Sequence, residues 1–122
     1  MKENGRGSIV TVGSSGGRVA DARVPAPYAT AKAGVIQLTR QVALQAGPSG
    51  VRANCLAPET ILTDAIAARI SDEQRTWMIN AHPLRRLGTP ADVADAVVFL
   101  AGDRSSWITG AVLDLTGGAV VA

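Results

Sequence analysis

The hydrophobic positions of this 122-residue chain fall into alternating strand-like and helix-like segments. Residues 8–12, "SIVTV", form a short β-branched run that "GSSGG" terminates, a pattern typical of a buried strand. Residues 28–46 carry apolar side chains at helical spacing, and the "GPSG" of residues 47–50 ends that helix. Residues 51–57, "VRANCLA", predict a second strand that stops at Pro58. The first half of the chain is therefore predicted as strand, helix, strand.

The second half continues this alternation with two capped helices and a strand. Ser71 can cap a helix that runs to about Ala81. Thr89 begins another helix, which ends at Gly102. Residues 111–118, "AVLDLTGG", predict a third strand followed by a glycine turn. Strands that alternate with helices indicate an α/β fold with parallel strands and right-handed crossovers.

Three parallel strands make a thin sheet. A parallel sheet is covered on both faces, and its central strands have a neighbour on each side. Only seven residues precede the strand at 8–12. We therefore expect residues 1–122 to form a single partial domain, the C-terminal part of a larger α/β unit.

Composition excludes several classes of function. The chain is 47% hydrophobic, which supplies a core, and its net charge of +2 is not clustered. Aromatic residues make up only 3%, too few for a base-stacking surface, so we expect no nucleic-acid partner. No apolar run is long enough to span a bilayer, and the polar first residues do not look like a signal peptide. A cytoplasmic protein with no membrane partner is expected, in which the single cysteine, Cys55, is a buried and reduced thiol.

Candidate chemistry centres on Tyr28, the only tyrosine, and on Lys32 four residues later. On a helix these two side chains share a face, and a cation beside a phenol helps it exchange a proton near neutral pH. The same spacing also occurs in helices as an aromatic ring with a lysine stem packed on it. Ser14 and Ser15 follow the first strand at the sheet edge where α/β proteins bind ligands. Turn formation is the alternative role of these serines.

Several motifs in the chain resemble, in the same order, those of the short-chain dehydrogenase/reductase (SDR) family. They are a strand ending in serine, Tyr-Ala-Thr-Ala-Lys, an Asn-x-x-Ala-Pro strand end, an Arg-Leu-Gly-Thr-Pro helix start and an Ile-Thr-Gly…Gly-Gly ending. The resemblance runs from Gly7 to Gly118 and is to the C-terminal half of these enzymes. It implies part of a Rossmann-type doubly wound parallel sheet, with the N-terminal cofactor-binding half missing.

The resemblance implies an NAD(P)-dependent oxidoreductase that interconverts an alcohol and a carbonyl by hydride transfer. Tyr28 matches the proton-transferring tyrosine, and Lys32 matches the lysine that assists it and hydrogen-bonds the nicotinamide ribose. Ser14 matches the serine that orients the substrate, because Gly17 follows it by three residues as in the family. Ser15, however, has the family's usual separation from the tyrosine, so both serines stay open as candidates.

The resemblance also implies the cofactor and the partners. Tyr28, Lys32, Pro58, Ile61 and Thr63 match positions that contact NAD or NADP. The glycine-rich loop that binds the cofactor, and the residues that choose between NAD and NADP, have no counterpart in the chain. The implied partners are a small-molecule alcohol or carbonyl substrate and further copies of the chain in a homo-oligomer, a dimer or a tetramer. We expect no metal site.

Two residues depart from or add to the family pattern. Glu59 stands where the family usually has glycine, and it either brings bulk and negative charge close to a cofactor phosphate or points into solvent. His82, the only histidine, is expected in a surface loop.

An alternative function also remains, in which the chain is a catalytically inactive truncated product that docks to a full-length relative.

Overall fold

Three parallel strands in the order β1-β2-β3 form the sheet of the computed structural model, which describes residues 1–121. They are β1 (Gly7–Val12), β2 (Val51–Pro58) and β3 (Val112–Leu115). In the register, Gly7 lies opposite Val51 and Cys55 lies opposite Val112. The predicted α/β class with a parallel sheet is therefore confirmed.

Four α-helices connect and follow the strands within the described residues. They are α1 (Ala26–Ala46), α2 (Asp64–Ala67), α3 (Asp72–Ala81) and α4 (Pro90–Ala101). Single turns of 3₁₀-helix occur at Lys2–Asn4, Ser15–Gly17, Gly47–Ser49 and Asp103–Ser105. The short helix α2 was not predicted, because a single turn gives too few positions for a helical period.

Strand β2 lies at the centre of the sheet and of the core. Its residues at 53 and 55–57 are completely inaccessible to solvent, and α1 packs its buried face against it. That face consists of Ile36, Thr39, Ala43 and Ala46. Cys55 is a free, buried thiol that donates to the Leu56 carbonyl at 3.4 Å, as predicted.

The ends of two elements differ from the prediction. Helix α1 begins at Ala26, two residues early, because Pro25 occupies the N-cap and Pro27 fits the first turn, where no N–H is needed. Strand β2 includes Pro58, which pairs with Leu115, so the predicted stop before this proline is wrong. A proline at the last strand position interrupts nothing, since the next N–H continues the ladder to β3.

The expectation that His82 lies in a surface loop is also wrong. Its side chain is only 4% exposed, and Nδ1 lies 2.7 Å from the Met78 carbonyl oxygen. The Leu84 N–H donates to the Gly117 carbonyl at 3.1 Å, and Gly117 and Gly118 have φ values of 56° and 86°. The loop after α3 is therefore packed against the glycine turn that follows β3, which buries the imidazole.

Helix α4 begins with a reciprocal cap that Arg86 extends. The Thr89 hydroxyl accepts the Asp92 N–H at 3.2 Å, and the Asp92 carboxylate accepts the Thr89 N–H at 2.7 Å. Arg86 donates to the same carboxylate at 2.7 Å and 2.8 Å. The bonds from Arg86, followed by those from Thr89, hold the pKa of Asp92 well below its usual range.

We expect Thr89→Ala to lower the free energy of unfolding by about 1 kcal/mol, because the Asp92 N–H loses its acceptor, the Thr89 hydroxyl. Asp92→Asn should lower it in a pH-dependent way. Because the pKa of Asp92 is lower in the folded than in the unfolded state, its ionised carboxylate stabilises the fold fully at pH values well above 3.8, the ordinary pKa of aspartate. This contribution is lost as the pH falls below 3.8 and through the folded-state pKa. Urea denaturation of wild type and Asp92→Asn from neutral to acidic pH measures this. A difference that grows towards acidic pH would contradict the proposed cap.

Candidate active site

Tyr28 and Lys32 meet at the carboxyl end of β1. Both lie in the first two turns of α1, and the Lys32 ammonium is 5.7 Å from the centroid of the Tyr28 ring. Lys32 Nζ also donates to the carbonyl oxygen of Val12, the last residue of β1, at 3.2 Å. The Tyr28 side chain is 47% exposed. The phenol is therefore open to a ligand, with the ammonium fixed beside it.

The two serines after β1 have different hydrogen-bonding commitments. The Ser14 hydroxyl accepts the Gly16 N–H at 3.2 Å and caps the turn Ser15–Gly17. The Ser15 hydroxyl donates its proton to the carboxylate of Glu59. Both serines are buried. Of these two hydroxyls, only that of Ser14 has no acceptor for its proton within residues 1–121, so the two are chemically distinct.

Gly17 fixes the position of the serine loop, residues 13–24, against α1. A Cβ at Gly17 would lie 2.6 Å from the Lys32 carbonyl carbon and 2.7 Å from the Ala33 nitrogen. Only glycine allows so close an approach of two backbones. The loop that carries Ser14 therefore lies directly on the helix segment that carries the tyrosine and the lysine.

The segment after β2 leaves the sheet at the same carboxyl edge. Pro58 ends β2, Ile61 forms a bridge with Gly88, and Thr63 caps α2 by accepting the Ile66 N–H at 3.3 Å. The bridge to Gly88 is made by the Leu62 N–H and the Thr60 carbonyl, and within residues 1–121 none of the three residues hydrogen-bonds to Tyr28 or Lys32. The structure therefore places them at the predicted edge without joining them to the tyrosine–lysine pair.

Two arginine–aspartate pairs flank the serine loop. Arg18 forms a bidentate ion pair with Asp114 of β3: its Nε donates to Oδ1 at 3.1 Å and its Nη2 donates to Oδ2 at 2.8 Å. Each side chain is about one-fifth exposed. Arg23 binds Asp21, lowers the pKa of this aspartate to about 2 and lies over the Trp77 ring at 5.3 Å. Sequence reasoning missed the first pair, since its partners are 96 residues apart and match no motif.

We expect Arg18→Met or Asp114→Leu to lower the free energy of unfolding by about 2 kcal/mol, because each leaves a largely buried charge without its partner. The double variant, which removes both charges, should recover part of that loss. Urea denaturation of all four proteins gives the coupling energy in a double-mutant cycle. Additive losses would mean that the pair does not hold the serine loop to β3.

None of the helices within residues 1–121 is both long and apolar enough to cross a membrane.

Comparisons with known proteins match nearly the whole chain to one family. Residues 1–120 match the family described as enoyl-(acyl carrier protein) reductase. The chain is 38% identical to 7α-hydroxysteroid dehydrogenase of Escherichia coli K12, over 98% of the chain and 47% of that relative. It is 42% identical to cyclohexanol dehydrogenase of Rhodococcus sp. strain TK6, over 97% of the chain and 44% of that relative.

A solved structure agrees with the sequence relatives. The crystal structure of a 3-oxoacyl-[acyl-carrier protein] reductase with bound NAD from Brucella melitensis superposes with a TM-score of 0.86 at 34% identity. The match covers 100% of the chain and 44% of that structure. The chain thus spans about half the length of the curated relatives it matches.

The sheet and the residues gathered at its carboxyl edge define a Rossmann-type α/β protein. Within that class, the chain belongs to the short-chain dehydrogenase/reductase family, which confirms the resemblance carried by the motifs.

Proposed function

We propose that the protein carrying this chain is an NAD(P)-dependent oxidoreductase that interconverts an alcohol and a carbonyl. The observation that carries the proposal is the half-exposed Tyr28 phenol beside the Lys32 ammonium at the carboxyl end of β1. A tyrosine with a fixed cation alongside is suited to exchanging a proton with a substrate oxygen. The dehydrogenases and reductases among the relatives support the same reaction class.

Three side chains would share the chemistry. Tyr28 would donate its phenolic proton to the oxygen of a carbonyl substrate, and in the reverse direction it would accept the proton of an alcohol. Lys32 would stabilise the phenolate that remains, through its positive charge. Ser14 would donate its unused hydroxyl proton to the same substrate oxygen and so orient it.

The described residues fit the ribose and nicotinamide end of a dinucleotide. Lys32 presents an ammonium and Tyr28 a phenol on one exposed helix face, and both can donate to ribose hydroxyls. Pro58, Ile61 and Thr63 leave the sheet at the same edge and would contact the cofactor beyond the ribose. When bound, the nicotinamide supplies or takes up the hydride. The Brucella reductase structure with bound NAD supports a cofactor of this class.

A second candidate function is that of a non-catalytic subunit. Within residues 1–121, β1 pairs only with β2, so its outer edge offers unpaired backbone groups. A strand edge of this kind favours pairing with another chain. In this candidate the chain would dock to a full-length relative and would turn over no substrate by itself.

A direct assay separates these candidates. The product of the gene is purified, its intact mass is recorded, and it is mixed with NAD or NADP and a panel of secondary alcohols. We expect absorbance changes that report reduced nicotinamide, and the reverse change with carbonyls. Cofactor binding by calorimetry gives an independent readout. If neither cofactor binds and no alcohol is oxidised, the oxidoreductase proposal is wrong for this product and pairing with a relative is tested next.

A further inference from the structure

Glu59 brings a carboxylate to the serine loop at the carboxyl edge of the sheet. It directly follows β2, and its N–H donates to the Leu115 carbonyl at 3.0 Å, which holds its backbone in line with β3. One carboxylate oxygen accepts the hydroxyl proton of Ser15, the neighbour of Ser14. The side chain is therefore part-buried and directed at the loop that carries the proposed substrate-orienting hydroxyl.

The charge of Glu59 is not balanced by an ion pair. Arg18 forms a bidentate ion pair with Asp114, and Arg23 forms one with Asp21. Within residues 1–121, no cationic side chain forms a salt bridge with Glu59. These five groups therefore carry a net charge of −1 beside the serine loop, although Arg23 also attracts Glu59 through space.

Glu59 also lines a cavity that borders the serine loop. The cavity has a volume of about 350 Å³ and is bounded by the loop itself and by Ala119 and Val120 after β3. Small-molecule sites start at about 300 Å³. The polar side chains on its wall are Ser15, Asp21, Arg23 and Glu59. Ser15, on this wall, directly follows Ser14 in the chain, so the cavity lies beside the proposed substrate-orienting residue.

We propose that Glu59 selects the substrate, favouring uncharged alcohols that carry a second hydrogen-bond donor next to the reacting carbon and rejecting those that carry a carboxylate there. The proposal rests on the proposed oxidoreductase function. A carboxylate accepts hydrogen bonds and donates none, so the oxygen that Ser15 leaves free binds a hydroxyl. A substrate carboxylate in the same place meets a like charge in a partly desolvated wall, which disfavours its binding.

Two variants separate the charge of Glu59 from its role as a tether. Glu59→Gln keeps an oxygen that accepts the Ser15 hydroxyl proton and removes the charge. Ser15→Ala removes the tether and keeps the charge. A third variant, Glu59→Gly, removes both and restores the residue usual in the family. All three are made in the full product of the gene, and urea denaturation confirms that each is folded.

The substrates form matched sets. Each set contains three secondary alcohols that differ only in the substituent on the carbon next to the reacting carbon, which is a hydroxyl, a hydrogen or a carboxylate. One set is built on a small open-chain skeleton and the other on a cyclohexane ring. We expect wild type to rank kcat/KM in the order hydroxyl, hydrogen, carboxylate. In Glu59→Gln the carboxylate compound should gain about 10- to 100-fold relative to the hydrogen compound. Ser15→Ala should retain the wild-type ranking.

Binding measurements give a second readout that needs no turnover. Calorimetry of the corresponding ketones with the protein–cofactor complex should show the carboxylate ketone binding about 10- to 100-fold more tightly to Glu59→Gln than to wild type. The dissociation constant of the cofactor alone should stay within a few-fold. A large change in cofactor affinity instead would place the charge of Glu59 at the cofactor and overturn the proposal.

Failure of the inference differs from failure of the proposed function. If alcohols are oxidised but all three variants rank the matched sets as wild type does, Glu59 does not select the substrate. If alcohols outside both sets are oxidised and none within them is, the donor-bearing class is wrong. If no alcohol is oxidised with either cofactor, the proposed function itself has failed.

Discussion

Tyr28→Phe is expected to lower kcat by about 100- to 10,000-fold in the proposed alcohol–carbonyl reaction, the range typical of losing a general acid–base group. The substitution removes one oxygen atom and keeps the ring that lies beside Lys32. Without the phenolic proton, the carbonyl oxygen must take its proton from water during reduction. The measurement is steady-state turnover with reduced cofactor and a carbonyl substrate.

The same variant should leave the fold intact. Within residues 1–121, the Tyr28 hydroxyl makes no hydrogen bond, and its side chain is 47% exposed. Replacing it therefore exposes no buried polar group, and the midpoint of urea denaturation should stay close to that of wild type. Cofactor affinity measured by calorimetry should fall by no more than about 10-fold, because one donor to the ribose is lost while Lys32 still donates. Turnover within a few-fold of wild type would refute the assignment of Tyr28 as the proton-transferring group.

The alternation of elements was predictable because each carries a local signal. The β-branched run before "GSSGG" predicts a strand from five residues. The N-cap at Thr89, followed by Pro90, predicts the start of a helix in the same local way. The burial of Ile36 and Thr39 follows from helical periodicity alone. These features depend on neighbours in sequence, so a single sequence contains them.

The site was predictable only in part. The Tyr28–Lys32 pair was found because both residues belong to one helix and to a recognised motif. The contact between Lys32 and the Val12 carbonyl required knowing how α1 crosses β1, which no local pattern encodes. His82 shows the same limit, since its burial depends on a glycine turn more than 30 residues away in sequence.

The charged contacts around the serine loop could not be predicted. Arg18 and Asp114 belong to no sequence motif. Glu59 replaces the usual glycine of the family, and the sequence leaves open whether its side chain lies close to a cofactor phosphate or points into solvent. The structure instead places it against Ser15. That contact depends on the parallel pairing of β1 with β2, which aligns the two strand ends at one edge.

The contact also bears on which serine is the substrate-orienting residue, a choice that spacing leaves open. Motif spacing favours Ser14 through Gly17, whereas the distance in sequence to Tyr28 favours Ser15. A hydroxyl can donate only one proton. Ser15 gives its proton to the carboxylate of Glu59, while Ser14 accepts the Gly16 N–H and keeps its own proton. The hydrogen-bonding pattern therefore favours Ser14.

Ser14→Ala is accordingly expected to lower kcat by about 100- to 1,000-fold, the usual effect of removing one donor to a developing oxyanion. The loss of its cap on the turn Ser15–Gly17 should also reduce stability by about 1 kcal/mol. Ser14→Thr keeps a hydroxyl and should recover part of the turnover. The measurements are steady-state kinetics and urea denaturation for each variant.

Ser15→Ala is the matched control, because it removes a neighbouring buried hydroxyl of the same size. The Ser15 hydroxyl already donates its proton to Glu59, so losing this hydroxyl should change kcat by less than about 10-fold. The opposite result, a large loss in Ser15→Ala and a small one in Ser14→Ala, would assign substrate orientation to Ser15. It would also mean that the Ser15 hydroxyl leaves Glu59 when substrate binds, so the serine that fits the family's separation from Tyr28 would be the functional one.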